Sequence, residues 1–132
     1  MTQITNPFGW IEIAVTNMPR AIKFYEDVFD VKLQHMELGP LEMAMWPEMP
    51  GGKGAGGALV KHAEWYKPTT DGPLVYFTAQ SGDLKNEVSR VEAAGGHVVV
   101  PIKQISPDYG WMACCTDTEG NRFAIHSREH VV

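Results

Sequence analysis

Short segments with the hydrophobic period of a strand and of a helix alternate along the chain. Residues 8–15 place apolar side chains on one face and Trp10, Glu12 and Ala14 on the other, which predicts a half-buried β-strand. Asn17 then provides an N-cap, and apolar residues recur at helical spacing. These residues are Ala21, Phe24, Tyr25 and Val28. The pattern predicts a strand followed by an amphipathic helix.

The same order of elements occurs twice. Strand-like runs follow the first helix over residues 31–37, 41–46 and 58–61. Residues 62–72 have no periodicity and contain Lys-Pro and Asp-Gly pairs, so they predict a connection. A second series then begins, with a strand over 74–79, a helix from Leu84, and strands over 97–105, 110–116 and 121–127. The pattern predicts two tandem β-α-β-β-β modules.

A single α+β domain spanning residues 1–132 follows from this repeat, with module one at about 6–61 and module two at about 73–128. A module of this size cannot bury both faces of its own sheet, so we expect the two halves to share a core. The predicted architecture is a curved mixed sheet around a cavity, with the helices outside. The sheet faces that turn away from the helices would line the cavity, where Trp10 and Glu12 would meet Arg122 and His126.

Composition narrows the possible partners. The chain has 132 residues, of which 44% are hydrophobic and 20% charged, and a net charge of −5 without a run of like charges. These values are typical of a globular domain and argue against nucleic acid as a partner. No uncharged stretch approaches the roughly 20 residues of a membrane span, and the first residues do not resemble a signal peptide. We therefore expect a cytoplasmic protein without a membrane partner.

The two cysteines are adjacent in the sequence. Cys114 and Cys115 would point to opposite faces of a strand, so a disulfide between them would require a strained ring. The sequence predicts reduced thiols.

Several short stretches occur in an order typical of one family. They are residues 10–17 (WIEIAVTN), 20–25 (RAIKFY), 28–31 (VFDV), 91–96 (VEAAGG), 109–111 (YGW) and 117–123 (DTEGNRF). With this order the chain resembles the glyoxalase/bleomycin resistance/dioxygenase group, the vicinal oxygen chelate superfamily, over essentially its whole length. Residues 56–61, 66–68 and 71–72 look most like those of uncharacterised proteins predicted to be related to lactoylglutathione lyase. The resemblance implies the paired-module fold more strongly than any activity.

The resemblance also identifies the positions where a metal would be held. Metal-dependent members of the superfamily bind a divalent ion with one His or Glu from each of four cavity strands. Carried over, the first-strand ligand falls on Trp10, the last-strand ligand on Ala124 and the second-module ligand near Leu74 or Tyr76. Residues 56–60 contain no Asp, Glu, His or Cys. We therefore expect no family metal site and no cofactor.

Glu12 and His126 are the candidate catalytic residues. A carboxylate on an apolar strand needs compensation, which a partner such as Arg122 or a tyrosine would provide. Alternatively, burial would raise its pKa and suit it to proton transfer or ligand contact. His126 is a candidate base, ligand contact or solvated side chain. A divalent metal displaced onto Glu12 and His126 remains the alternative to a metal-free site.

The candidate ligand-binding residues are mainly aromatic. They are Trp10, Tyr76, Trp111, Met45 and Arg122, which together would form a pocket for a small organic molecule. The first functional hypothesis is a metal-free small-molecule-binding protein, in the manner of the antibiotic-sequestering members. The second is a lyase or isomerase of the lactoylglutathione-lyase type, which leaves open whether the protein is an enzyme. A homodimer is expected, because the resemblance implies cavities closed across a two-fold interface.

Overall fold

A computed structural model describes residues 6–48 and 54–132. The elements of the first module are β1 (Trp10–Ala14), α1 (Met18–Phe29), β2 (Gln34–Leu38), β3 (Leu41–Met45) and β4 (Gly56–Lys61). Those of the second module are β5 (Val75–Thr78), α2 (Leu84–Val91), β6 (His97–Ser106), β7 (Gly110–Thr116) and β8 (Arg122–Ser127). The order β-α-β-β-β therefore occurs twice, as the sequence predicts.

The helix boundaries have local causes. The Asn17 side chain accepts a hydrogen bond from the Arg20 amide at 3.1 Å, and Pro19 lies in the first turn of α1. Asp83 caps α2 in the same way, accepting from the Lys85 amide at 3.0 Å. Helix α1 ends at Asp30, whose left-handed backbone has a φ of 52°. Neither helix in the described part of the chain has the length and apolarity needed to span a bilayer.

The eight described strands form two sheets of four, in the orders β1-β4-β3-β2 and β5-β8-β7-β6. In each sheet the first strand of the module pairs in parallel with the last, and the other pairs are antiparallel. Strands β1 and β5 are edge strands, and no ladder joins them. The mixed sheet of the prediction is thus divided into two sheets that are not closed around an enclosed cavity.

One strand begins later than the pattern suggests. The run over residues 31–37 predicts a strand from Val31, but β2 begins at Gln34. The left-handed cap at Asp30 turns the chain back, and Val31 and Leu33 pack against the core outside the ladder. Strand β2 is the other edge of the first sheet, and all of its residues are exposed.

A single hydrophobic core joins the two modules. It combines the buried sides of both helices with one face of each sheet. An aromatic group lies at its centre, where the Phe29 and Phe77 rings are 4.6 Å apart and the Phe24 and Phe123 rings 5.9 Å apart. Because α1 supplies Phe24 and Phe29 while the second sheet supplies their partners, the two modules share this core.

The cysteines follow the predicted alternation. Cys115 is buried in the core beside the helices, whereas Cys114 belongs to a cluster on the opposite face of β7. Both are free thiols. Burial, followed by the proximity of Cys114, raises the pKa of Cys115 to about 12, so this thiol stays protonated and unreactive at neutral pH.

Candidate functional site

The side of each sheet that turns away from the helices contains the predicted site residues. We call this side of the first sheet face one, and that of the second sheet face two. On face one, Glu12 lies beside Ala58 of β4, and Ala58 lies beside Met45 of β3. Met43, Ala58 and Val60 form a buried cluster there, against which Met45 and Tyr66 pack. Face one is an apolar surface with one acid on it.

Glu12 is exposed, contrary to the expectation that it is buried. Its Oε1 accepts a hydrogen bond from the Tyr66 hydroxyl at 2.5 Å, and its Oε2 accepts one from Trp10 Nε1 at 3.2 Å. The edge position of β1 explains the exposure, because no strand covers its outer side. The hydrogen bond to Glu12, then burial, raises the pKa of Tyr66, so the phenol remains a donor at neutral pH.

Trp10 lies over the neighbouring strand. A Cβ built on Gly56 would be 3.1 Å from Cζ3 of the indole, so the ring rests on a position that only glycine leaves free. The Trp10 side chain is nevertheless 47% exposed. One side of the indole is therefore in contact with β4 while much of the ring remains accessible to a ligand.

Face two contains three of the remaining predicted residues. The register pairs Tyr76 with Ala124 and Met112 with His126, and Arg122 lies on the same side of β8 as both. Met112, Cys114 and Ala124 form a buried cluster on this face. Tyr76 is 50% exposed. Face two thus combines an apolar base with an accessible phenol and basic side chains.

The contacts of His126 define its available nitrogen. Its Nε2 lies 2.5 Å from the carbonyl oxygen of Tyr109. A carbonyl oxygen only accepts, so Nε2 carries a proton in this contact and Nδ1 is the ring nitrogen left for another partner. His126 as a whole is partly buried.

Trp111 does not share a face with the other predicted residues. It pairs with Ser127, whose hydroxyl accepts a hydrogen bond from the first amide of α2, and the indole packs against the core beside the helices. Its ring also lies 4.9 Å from the ring of His130. The expected position of Trp111 in the cavity is therefore wrong by one step of strand alternation.

The connection between the modules contributes residues that sequence reasoning did not select. Tyr66 reaches Glu12 on the first sheet, while the Thr69 amide donates to Asn121 Oδ1 at 3.1 Å. The Arg122 guanidinium donates to the Gly72 carbonyl at 3.3 Å. The connection is thus attached to both modules, and no periodicity in residues 62–72 indicates it. The available signal was the pair of aromatic residues Trp65 and Tyr66 directly before Lys67 and Pro68.

The residues on the two faces do not fit a family metal site. The indole nitrogen of Trp10 bears a proton and has no lone pair to donate, and Ala58 and Ala124 have only methyl groups. Tyr76 offers a phenol in place of the His or Glu that the family metal site uses. Among residues 6–48 and 54–132, no three His, Cys, Asp or Glu side chains lie close enough together to hold a metal ion.

Two open sheets in tandem β-α-β-β-β modules, each with an accessible face, define the class of protein. The sequence model of one protein family, the Glyoxalase/Bleomycin resistance protein/Dioxygenase superfamily, matches residues 8–125. The chain belongs to this superfamily. No curated protein sequence matches the chain significantly.

Solved structures share the fold at low sequence identity. A glyoxylase/bleomycin resistance protein/dioxygenase domain from Frankia sp. EAN1pec is 17% identical, with a TM-score of 0.70 over 95% of this chain and 98% of that one. A mutant of the fosfomycin resistance protein FosX from Listeria monocytogenes, complexed with Mn(II) and 1S,2S-dihydroxypropylphosphonic acid, is 14% identical. Its TM-score is 0.63 over 96% of this chain and 93% of that one.

One of the similar structures belongs to a chain about twice as long as this one. A mutant of glyoxalase I from Zea mays is 18% identical, with a TM-score of 0.69 over 92% of this chain. Only 46% of the maize chain is covered, so the present chain spans about half the length of this enzyme. At these identities the similarity shows the fold alone.

Proposed function

We propose that the protein binds a small organic molecule on the apolar faces that turn away from the helices, without a resident metal. One observation carries the proposal. Trp10 and Tyr76 are about half exposed beside buried apolar clusters on faces one and two. Aromatic rings fixed beside an apolar base and left accessible are typical of ligand sites.

The two faces form a complete pocket when a second copy of the chain is present. The strands of the second sheet contain no Asp or Glu, and the positively charged Arg122 and Lys103 lie on face two. Glu12 is the charged residue of face one. Face one of one copy and face two of another are therefore complementary in charge, which favours a homodimer with two such pockets. The length of the maize enzyme, about twice that of this chain, is consistent with two copies.

A second candidate function is a lyase or isomerase in which Glu12 or His126 moves a proton. The contact of His126 Nε2 with the Tyr109 carbonyl supports it, because this contact orients the imidazole on face two and leaves Nδ1 for the role of a general base. The relative that holds Mn(II) and a phosphonic acid shows that the fold accommodates a metal and an anion in another protein. For this chain, the side chains at the family's metal-ligand positions favour binding without a metal, because Trp10, Ala58 and Ala124 offer no atom that could coordinate one.

Mass and metal content separate these possibilities. We expect light scattering to give about twice the 14.6 kDa of one chain, and elemental analysis of protein purified without chelator to give no stoichiometric metal. Native mass spectrometry should then detect a co-purified organic molecule. One metal ion per chain would favour the enzyme, and a monomer would remove the two-copy pocket.

Substitution tests the faces directly. Small aromatic compounds are first selected for raising the melting temperature of the unmodified protein. These compounds should bind more weakly to the Trp10→Ala and Tyr76→Ala variants than to the unmodified protein. Trp65→Ala is the matched control, because Trp65 is 80% exposed and lies outside the strands. An equal loss in all three variants would contradict binding on these faces.

A further inference from the structure

Glu12 has hydrogen-bond partners but no positively charged partner among the described residues. Its two partners, the Tyr66 hydroxyl and the Trp10 indole, are neutral donors. Elsewhere in the described chain, Glu119 and Asp27 form ion pairs with Arg20 and Lys23 at 2.7 Å. The negative charge of Glu12 is thus oriented but not compensated.

The neighbouring strand residues supply no second charge. The side chains that share face one with Glu12 are Trp10 and Ala14 of β1, Gln34, Met36 and Leu38 of β2, Leu41, Met43 and Met45 of β3, and Gly56, Ala58 and Val60 of β4. All are neutral. A single carboxylate on an otherwise neutral strand surface gives face one a local preference for positive charge.

The Trp10 ring adds a second attraction for a cation. The indole lies within hydrogen-bond distance of the carboxylate, so a cation that contacts Glu12 also lies close to the aromatic ring. A cation that lies over the ring face within about 6 Å of the centroid is attracted by its negative potential, and the indole face that does not contact Gly56 is the one available. Gly56 beneath the ring and the hydrogen bond to Glu12 hold the indole in this position.

We propose that Trp10, Glu12 and Tyr66 form a subsite for the cationic group of an organic ligand, such as an alkylated ammonium. This inference rests on the proposed small-molecule function and names the chemical class of the ligand. Tyr66 orients the carboxylate from one side, Trp10 provides the aromatic surface, and the thioether of Met45 lines the apolar base. Arg122 and Lys103 give face two the opposite preference, so the cationic end of the ligand lies on face one.

Choline and 3,3-dimethylbutan-1-ol provide a test, because they have nearly the same shape and differ in charge. NMR titration of the tryptophan indole signals of the full chain at low ionic strength measures both dissociation constants. We expect choline to bind about ten-fold more tightly than the alcohol, and high salt to weaken choline alone.

Substitutions assign this preference to the subsite. Glu12→Gln should remove most of the advantage of choline and leave the alcohol unchanged, because the amide keeps the shape without the charge. Glu37→Gln is the matched control, since Glu37 is exposed on the other side of the same sheet. Retained binding of the alcohol also shows that the variant is folded.

The outcomes distinguish this inference from the function on which it rests. Equal affinity for both probes, or an equal loss in both variants, would overturn the cation subsite and leave small-molecule binding intact. If neither probe binds while aromatic compounds do, the cation subsite is again wrong. If aromatic compounds also fail to bind, the proposed function fails as well.

Discussion

Glu119, in the turn between β7 and β8, and Glu12, on β1, are carboxylates in very different surroundings. Glu119 accepts hydrogen bonds from the amides of Thr16 and Asn17 at 2.9 and 2.8 Å, and from the Arg20 guanidinium at 2.7 Å. Its side chain is fully buried. Glu12 is exposed and accepts from two neutral donors.

The difference separates an acid that holds the fold from an acid that is available to a ligand. Although burial raises it, hydrogen bonds led by Arg20 and Asn17 lower the pKa of Glu119 to about 2. These contacts join the end of β1 and the start of α1 to the second module. Tyr25 strengthens the same junction, since its buried hydroxyl donates to Asp117 at 2.6 Å.

The largest expected effect comes from removing the charge of Glu119. In Glu119→Gln, a buried amide replaces the acceptor of several donors, so the free energy of unfolding should fall by about 2 kcal/mol. The expected loss is no larger than this because the Arg20 side chain is half exposed, and solvent weakens its attraction to Glu119. Glu12→Gln, in the same urea titration, should change it by less than about 0.5 kcal/mol. Similar losses in both variants would remove the distinction.

A smaller effect is expected from acid. The folded-state pKa of Glu119 is lowered from an ordinary value of 4.5 to about 2, so its stabilisation is fully present above pH 4.5 and is lost as the pH falls towards 2. The free energy of unfolding should therefore decrease through this window in the unmodified chain. It should decrease less steeply in Glu119→Gln, measured by urea unfolding at each pH. Parallel curves would show that other carboxylates cause the loss.

Much of the fold could be predicted because its signals are local. Alternation around Trp10 and the helical stripe through Phe24 gave the correct elements, and the Asn17 cap is seen in the structure. The pattern predicts the start of β2 three residues too early, because apolar Val31 and Leu33 suggest a strand although they pack on the core.

The site was less predictable because strand faces can be read only where polar and apolar residues alternate. Residues 110–116 are apolar at nearly every position, so both faces of β7 look buried and the pattern does not indicate which face contains Trp111. The exposure of Glu12 depends on its place at a sheet edge, which no short-range pattern reports. Its hydrogen bond from Tyr66 joins residues 54 positions apart, a contact that only the tertiary fold creates.

The smallest expected effect is a shift in one tyrosine titration, which tests the open surroundings of Glu12. The phenol of Tyr66 donates to this carboxylate, and ionisation would place two negative charges together, so the pKa of Tyr66 is raised above 10.0. Glu12→Gln should lower it towards that value, and Glu119→Gln should leave it unchanged. NMR of isotope-labelled tyrosine follows the titration, with Tyr66→Phe to assign the signal. If the Tyr66 midpoint stays the same in Glu12→Gln, the phenol does not depend on Glu12, and the carboxylate loses the orientation that a ligand site on face one requires.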